Sequence, residues 1–453
     1  MRKLFGTDGI RAVAGQTPLD PRTIHAVGVA LAHHVAKPGV GAGAQPKVIL
    51  GMDTRESSEW IAAAITGGLR DGGATVESAG VITTPAIAFL TRAHGFSAGI
   101  VISASHNPWQ DNGIKVFGPD GYKLPDATEL AIEDEIFRQL ETAPQDAAIH
   151  SAAPAVEEAD RAEYVRALLA AVPDLSLDGK RIVVDCANGA ASSVAAQLFA
   201  GLGGEVRIRN ASPDGRNINV ECGATKPEVV AQYVLEDKAD IGITFDGDAD
   251  RAMFADENGR VVNGDGVMLL AARDLQARGL LQDNLVVATT MSNMGLEAAL
   301  KHSGIRMLRA PVGDKYVLEQ MKSTGASLGG EQSGHILFTG KSTTGDGLLT
   351  ALLLLDIVHR NSSSLAKLTS DLKTFPQVIV NVKVREKKPL ESIPTVAAKI
   401  SEAEAALADS GRVVIRYSGT EALARVMIEA EDEVAMKHHA EAIAGAIRTE
   451  LGI

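Results

Sequence analysis

Short apolar runs that stop at turn-forming loops, each followed by a helical pattern, recur in three successive rounds along this 453-residue chain. In the first, Val48-Ile49-Leu50 precedes helical patterns over Glu56–Arg70 and Thr84–His94, and a strand is expected over 98–103. The second runs strand Arg181–Asp185, helix Ser192–Leu202, strand Glu205–Arg209, helix Pro227–Leu235 and strand Ile241–Phe245. In the third, strand Leu285–Thr289, a helix, strand Ile305–Leu308, a helix near Asp314–Met321 and a long helix from about Gly347 follow one another. Strands alternating with helices imply parallel or mixed sheets covered by those helices. The rounds share a pattern and not a residue repeat.

The last 80 or so residues differ. After the Ser-rich Asn361–Lys367, a strand over Val378–Val384, a helix over Glu391–Ala408, strands at Arg412–Ile415 and Ala424–Ala430 and a helix over Asp432–Leu451 make a β-α-β-β-α unit. Thr142–Glu158, rich in Ala and Pro, reads as a linker, and Lys37–Lys47 as a surface loop that lacks phosphate-cradle spacing. A chain of this length exceeds one core. The expected fold is α/β with four domains, at 1–155, 156–255, 256–371 and 372–453, the first three mixed α/β and the last a smaller α+β domain.

Composition excludes several functions. No apolar run reaches the roughly 18 residues that span a bilayer, and the start, MRKLFGTDGIR, lacks the apolar centre of a signal peptide. With only Cys186 and Cys222, no disulfide framework is implied, so the cytoplasm is the expected compartment and no membrane partner is expected. Lys and Arg total 44 against 57 Asp and Glu, a net charge of −13, which argues against nucleic acid as a partner. An anionic ligand would need a local basic exception.

Five segments carry groups suited to chemistry. Asp246, Asp248 and Asp250 follow an apolar strand in a glycine-containing loop. Two carboxylates about 4 Å apart repel by roughly 4 kcal/mol at an effective dielectric near 20, so three converging need a cation. Hard oxygen ligands without His or Cys favour Mg²⁺; a solvated acidic turn is the plain alternative. Ser105, in Ile102–Gly113 (ISASHNPWQDNG), stands at a strand's carboxyl end, where a turn or helix cap is equally natural, and Lys115 follows ten residues on. A dyad of Ser105 with His106 is the poorer reading, because neighbouring residues at a strand end are expected to point apart. Glu331, Ser333 and His335 lie in a glycine-flanked loop suited either to paired sugar hydroxyls or to a hairpin tip. Arg416, in the loop RYSGTE, with Arg425 beyond it, fits a phosphate cradle or a hairpin turn. Arg11, Lys115, Arg416 and Arg425 are the cations available for the basic exception.

FGTDGIR, ISASHNP, DGDADR, GEQSGH and RYSGTE stand in the order and spacing of the α-D-phosphohexomutases, which the chain resembles over essentially its whole length. The resemblance implies four domains around a central cleft, the last like a TATA-binding-protein unit. It makes Ser105 the carrier of a phosphoryl group and gives Asp246, Asp248 and Asp250, with the serine's oxygen, to one Mg²⁺. It gives Glu331 and Ser333 to the sugar hydroxyls, and Arg416, Ser418, Gly419, Thr420 and Arg425 to the non-reacting phosphate. Arg11 and Lys115 would assist at the attacking or leaving oxygen, with Lys115 and His335 as acid/base groups.

The implied reaction interconverts glucosamine 6-phosphate and glucosamine 1-phosphate through a hexose bisphosphate, which also primes the enzyme, and it feeds amino-sugar and cell-wall precursor supply. Mannose and glucose phosphates are the alternative substrates within the family; Ser-Ala-Ser-His and Gln332 favour the glucosamine branch. Some members of that branch are dimeric and bind a diadenylate cyclase, and the resemblance extends both as expectations. An aspartate-nucleophile phosphatase would need Thr or Val where Asp250 stands and would leave Ser105 and Arg416 idle; a non-catalytic sugar-phosphate sensor would not retain every reactive group. The chain departs from the family pattern at Tyr417 and Ala422, where proline is common, at Lys315, where arginine is usual, and at Lys226, where histidine is usual.

Overall fold

The computed structural model describes residues 4–6, 8–36, 45–142, 154–417 and 422–453. They form two compact units: Met1–Met291 with Met307–Ser370, and Ser292–Arg306 with Asp371–Ile453. Among the described residues no helix is long and apolar enough to cross a membrane.

The larger unit is built on three sheets. The first has strands β1 (Ile10–Val13), β2 (Lys47–Met52), β3 (Thr75–Val81), β4 (Ala98–Ile102) and β5 (Asp111–Phe117) in the order β1-β5-β4-β2-β3. β2 runs parallel to both β3 and β4, and β5 returns antiparallel between β4 and β1. The second has β6 (Arg181–Asp185), β7 (Glu205–Arg209), β8 (Ile241–Phe245), β9 (Ala252–Asp256) and β10 (Val261–Val262) in the order β10-β9-β8-β6-β7. Here β6 is parallel to β7 and β8, and β9 returns antiparallel beside β8. The third comprises β11 (Leu285–Thr289), β12 (Arg306–Ala310), β13 (Leu328–Gly330) and β14 (Ile336–Phe338) in the order β12-β11-β13-β14.

One local device recurs. β4 and β8 are five-residue strands buried along their whole length, as strands inside a covered sheet must be. At the carboxyl end of each, the chain reverses into an antiparallel partner, and the reversing loop carries the reactive residues: 103–110 after β4 and 246–251 after β8. Ligand groups collect at the carboxyl ends of parallel strands because the helices cover the faces and leave that edge open.

The smaller unit holds an antiparallel sheet in the order β15-β17-β16, formed by β15 (Gln377–Lys383), β16 (Gly411–Tyr417) and β17 (Leu423–Ala430). Helices Pro394–Leu407 and Glu433–Leu451 bury Val396, Leu407, Ile443 and Ile447 in one cluster with Val426 and Ile428 of the sheet. Asn293 ties the Ser292–Arg306 segment to this unit, donating to the Phe375 carbonyl at 3.0 Å and to Glu429.

The expected three-plus-one arrangement of sheets is observed, with two local corrections. The helix expected over Ser192–Leu202 is a 3₁₀ turn, Ala190–Ser193, followed by Ala195–Ala200. Val194 leaves helical geometry between them (φ −124°), and the Ala190 N–H is drawn to the Gly247 carbonyl at 2.8 Å. The helix expected from Glu391 starts at Pro394, because the residue before a proline is pushed out of the helical region and Ile393 is extended. Most of Lys37–Lys47 and of Thr142–Glu158 lies outside the described residues.

Candidate active site

Ser105 sits in the loop after β4 with 1 % of its surface exposed and a left-handed backbone, φ +53°. A non-glycine residue held there costs about 1–3 kcal/mol, so its surroundings must enforce it. The Ser105 N–H donates to Ser103 Oγ at 2.9 Å, and the Ser105 carbonyl accepts from Arg55 at 3.2 Å and from Asn219 at 3.0 Å. Thus fixed, the Ser105 hydroxyl donates to Asp246 Oδ2.

The positive φ also overturns one expectation: Ser105 Oγ and His106 Nδ1 are 3.3 Å apart, so the neighbouring side chains do meet. His106 is a weak base in this place. Burial, then the positive charges of Arg251 and Arg11, push it down to about 4.

Asp246, Asp248 and Asp250 are all buried, and their ligand oxygens lie within 4.8 Å of one another. Gly247 makes room for this loop: a Cβ there would collide with the Ser105 carbonyl oxygen. Burial, then the charges of Asp250 and Asp248, push Asp246 up to about 8. Among the described residues, Asp248 Oδ1 and Asp250 Oδ1 are buried without a hydrogen-bond partner. Three crowded carboxylates with unsatisfied oxygens beside a serine hydroxyl form a hard-oxygen set that a magnesium ion fits.

Lys115, on β5, projects into the same cluster, with Nζ 2.8 Å from Asp248, 3.2 Å from Asp8 and 3.3 Å from Asp250. Burial works against its charge, but Asp248, Asp8 and Asp250 prevail and hold it well above its usual pKa. Asp8 in turn pairs with Arg11 and Lys123, and Lys123 reaches Asp314 at 2.6 Å. Against the cost of burial, Lys115, Lys123 and Arg11 hold Asp8 well below the usual carboxylate range.

Of this network, Asp8, Arg11, Lys123, Asp250 and Asp314 line a cavity of about 570 Å³ within the larger unit, while Ser105, Asp246, Asp248 and Lys115 lie behind its lining. Asp250, His106, Arg11, Lys123, Arg251 and Lys315 line one part of it, and Glu331, Gln332, Ser333 and His335 another. The last four come from the hairpin between β13 and β14, the hairpin tip that is one of the two readings of this loop, and they line the cavity. Glu331 Oε1 accepts the Gly313 N–H at 3.1 Å.

His335 is contested between two influences. Burial opposes its charge, while Asp250 and then Asp314 favour it and raise its pKa. Its Nε2, however, lies 3.2 Å from the Gly345 nitrogen and accepts that N–H, which a protonated Nε2 could not do. We assign the neutral ring, with its proton on Nδ1 facing Asp250 Oδ1 at 3.5 Å. Gaining a second proton requires giving up the Gly345 contact.

In the smaller unit, Arg416 and Arg425 are directly opposite in the β16–β17 register. Like charges so placed repel, and an oxyanion between them would relieve this. Ser418, Gly419 and Thr420 lie outside the described residues. Of the departures from the family pattern, Lys315 pairs with Asp126, Lys226 with Glu221, and the Tyr417 hydroxyl donates to the Lys388 carbonyl; Ala422 accepts the Val384 N–H at 2.9 Å.

Sequence reasoning missed Asp8, Arg55, Lys123, Asn219 and Arg251. Arg55 carried the clearest signal: it follows β2, a strand whose carboxyl end shares an edge with that of β4.

Comparisons with known proteins agree with this layout. Four profiles of one family, described as phosphoglucomutase/phosphomannomutase, match in order: alpha/beta/alpha domain I over residues 2–143, domain II over 162–259, domain III over 263–375 and the C-terminal domain over 379–446. A relative from Koribacter versatilis named phosphoglucosamine mutase is 57 % identical, over 100 % of this chain and 98 % of its own. Among solved structures, a phosphoglucomutase/phosphomannomutase family protein from Burkholderia thailandensis aligns with a TM-score of 0.76 at 24 % identity, over 99 % of each chain. Aspergillus fumigatus N-acetylphosphoglucosamine mutase, in complex with GlcNAc-6P and magnesium, aligns with a TM-score of 0.64 at 19 % identity, over 99 % of this chain and 96 % of its own.

Proposed function

The chain belongs to the phosphoglucomutase/phosphomannomutase family, and on that premise we propose that it is an isomerase interconverting glucosamine 6-phosphate and glucosamine 1-phosphate. The observation that carries the reading is the meeting of the Ser105 hydroxyl with the buried carboxylates of Asp246, Asp248 and Asp250, beside a cavity lined with cations. On a chain of net charge −13 an anionic substrate needs local cations, and Arg11, Lys123, Arg251 and Lys315 line the cavity and offset the carboxylates of Asp8, Asp250, Asp314 and Glu331 there.

In this reading Ser105, phosphorylated, gives its phosphoryl group to the free hydroxyl of the sugar phosphate, and the resulting bisphosphate returns its other phosphoryl group to Ser105. Asp246, Asp248, Asp250 and the Ser105 oxygen would hold one Mg²⁺, which when bound spreads the charge of the transferring group. Arg11 and Lys115 hold positive charge where oxyanion charge develops. Glu331 and Ser333 orient the sugar hydroxyls, and Arg416 and Arg425, with Ser418, Gly419 and Thr420, grip the phosphate that is not reacting. Proton transfer falls to Lys115 and His335, each of which must first loosen a contact: Lys115 its carboxylates, His335 the Gly345 N–H. A hexose bisphosphate serves as primer.

The division at 1–155, 156–255, 256–371 and 372–453 and a cytoplasmic role in cell-wall precursor supply belong to the same proposal. Two assembly proposals come with it, a homodimer and a complex with a diadenylate cyclase; light scattering of the chain alone and with the cyclase reads both.

The deciding experiment compares kcat/KM for glucosamine, mannose and glucose phosphates with Mg²⁺ and a bisphosphate primer. A preference for glucosamine of a hundredfold, about 2.7 kcal/mol of transition-state binding, is expected. Equal or better turnover of mannose or glucose phosphate would reassign the substrate and keep the chemistry.

A further inference from the structure

The peptide groups of Ser105 are the two ends of one hydrogen-bonded circuit. Its N–H donates to Ser103 Oγ, and the Ser103 hydroxyl donates to Asp53 Oδ2 at 2.6 Å. Asp53 pairs with the Arg55 guanidinium, and Arg55 Nη2 returns to the Ser105 carbonyl at 3.2 Å and to the Asn107 carbonyl at 2.6 Å. Asp53 Oδ1 also accepts the Arg55 N–H and the Ser58 hydroxyl, each at 3.0 Å. A second donor comes from a different sheet domain: Asn219, in the loop following β7, gives its Nδ2 hydrogens to the Ser105 carbonyl at 3.0 Å and to the Asn107 carbonyl at 3.5 Å.

Neither donor is explained well by stability alone. The Arg55 and Asp53 side chains have 0 % exposure, and a buried ion pair of this kind is seldom more stabilising than apolar side chains of the same volume. Asn219 has φ +59°, and its Oδ1 is buried without a hydrogen-bond partner among the described residues, so the side-chain hydrogen bonds described for this amide all go to the serine loop. The carbonyl that Arg55 and Asn219 hold belongs to the residue whose positive φ aims Oγ at Asp246.

We propose that Arg55 and Asn219 are positioning residues for phosphoryl transfer at Ser105, acting on its carbonyl from two sides and touching neither sugar nor phosphate. The proposal rests on the reading of Ser105 as the phosphoryl carrier. In-line transfer is sensitive to misplacement of about 1 Å. Loosening the carbonyl therefore slows chemistry while leaving the cavity that binds the sugar intact.

The test uses Asn219→Gly, which removes the amide while tolerating the positive φ, together with Arg55→Lys, which keeps the charge opposite Asp53, and Arg55→Met. Three quantities are read: kcat and KM for glucosamine 6-phosphate, the melting temperature, and the rate at which a ³²P-labelled hexose 1,6-bisphosphate labels Ser105. Asn219→Gly is expected to lower kcat and the labelling rate together by ten- to a hundredfold, with KM within twofold and the melting temperature near that of the parent. Arg55→Lys should recover part of what Arg55→Met loses; if the Arg55 variants fail to fold, Asn219→Gly decides. A folded Asn219→Gly variant with parental kcat and labelling rate, or one whose KM rises at unchanged kcat, overturns the proposal. If the parent converts no glucosamine phosphate but labels Ser105, and the variants label slowly, the substrate reading fails and the positioning stands. No labelling of Ser105 in the parent overturns both.

Discussion

Lys115 Nζ lies 2.8 Å from Asp248 Oδ2, with the lysine side chain 1 % exposed and the carboxylate fully buried. The lysine faces two of the three crowded carboxylates, Asp248 and Asp250, and Asp8 besides. Replacing it with methionine leaves Asp8, Asp248 and Asp250 without that cation. We expect Lys115→Met to lose about 3–5 kcal/mol of stability in chelator, to recover a large part of it in millimolar Mg²⁺, and to turn over at least a hundredfold more slowly. Thermal unfolding with and without Mg²⁺ checks this; a melting temperature equally indifferent to the metal in parent and variant would contradict the metal assignment.

Ser105→Ala removes a small buried hydroxyl and should shift the melting temperature little while lowering mutase turnover a thousandfold or more. The same preparation assayed for phosphate release separates the alternatives. Phosphatase activity that survives Ser105→Ala and disappears in Asp246→Asn would restore the aspartate-nucleophile reading.

Gly247 packs against the Ser105 carbonyl, and an added methyl would meet that backbone oxygen as well as the side-chain ends of Ile218 and Asn219. Gly247→Ala should cost about 1–3 kcal/mol of stability and lower kcat more than it raises KM, since it separates the serine loop from the carboxylates. Chemical denaturation and steady-state kinetics on one preparation measure both effects.

Asp346 caps helix Gly347–Arg360, accepting the Leu349 N–H at 2.9 Å and the Tyr164 hydroxyl at 2.8 Å. Burial outweighs these bonds and pushes its pKa up to about 6, from 3.8. The folded state therefore binds this proton more tightly than the unfolded state does, and stability falls as pH rises from about 4 to about 6. Asp346→Asn keeps the cap and removes the titration, so the pH dependence over that window should flatten by roughly 2–3 kcal/mol. Urea melts of parent and variant at several pH values read the difference; parallel curves would refute the assignment.

Strand ends and reactive loops were legible in the sequence because they are local. The runs Arg181–Asp185, Ile241–Phe245 and Leu285–Thr289 coincide with strands β6, β8 and β11, since a buried strand has to be a short apolar run bounded by turn-formers, and Glu205–Arg209 coincides with β7, a partly exposed strand in which apolar and charged residues alternate. The carboxylate string Asp246, Asp248 and Asp250 announced itself by spacing. Where expectations slipped, backbone rules had been applied without their neighbours: the early start given to helix Pro394–Leu407 ignored its proline, and the diverging side chains expected of Ser105 and His106 assumed an ordinary φ.

What the sequence by itself determined, then, was the identity of the reactive groups and the succession of strands and helices that carries them. Only the tertiary structure decided which charges neutralise which. Arg55 and Ser105 are 50 residues apart, Asn219 and Ser105 are 114 apart, and Lys123 and Asp314 are 191 apart. Side chains that are ordinary surface residues in the sequence become positioning groups once buried together. In a low-dielectric interior each charge must find its partner, and which partner is within reach depends on how the sheets pack.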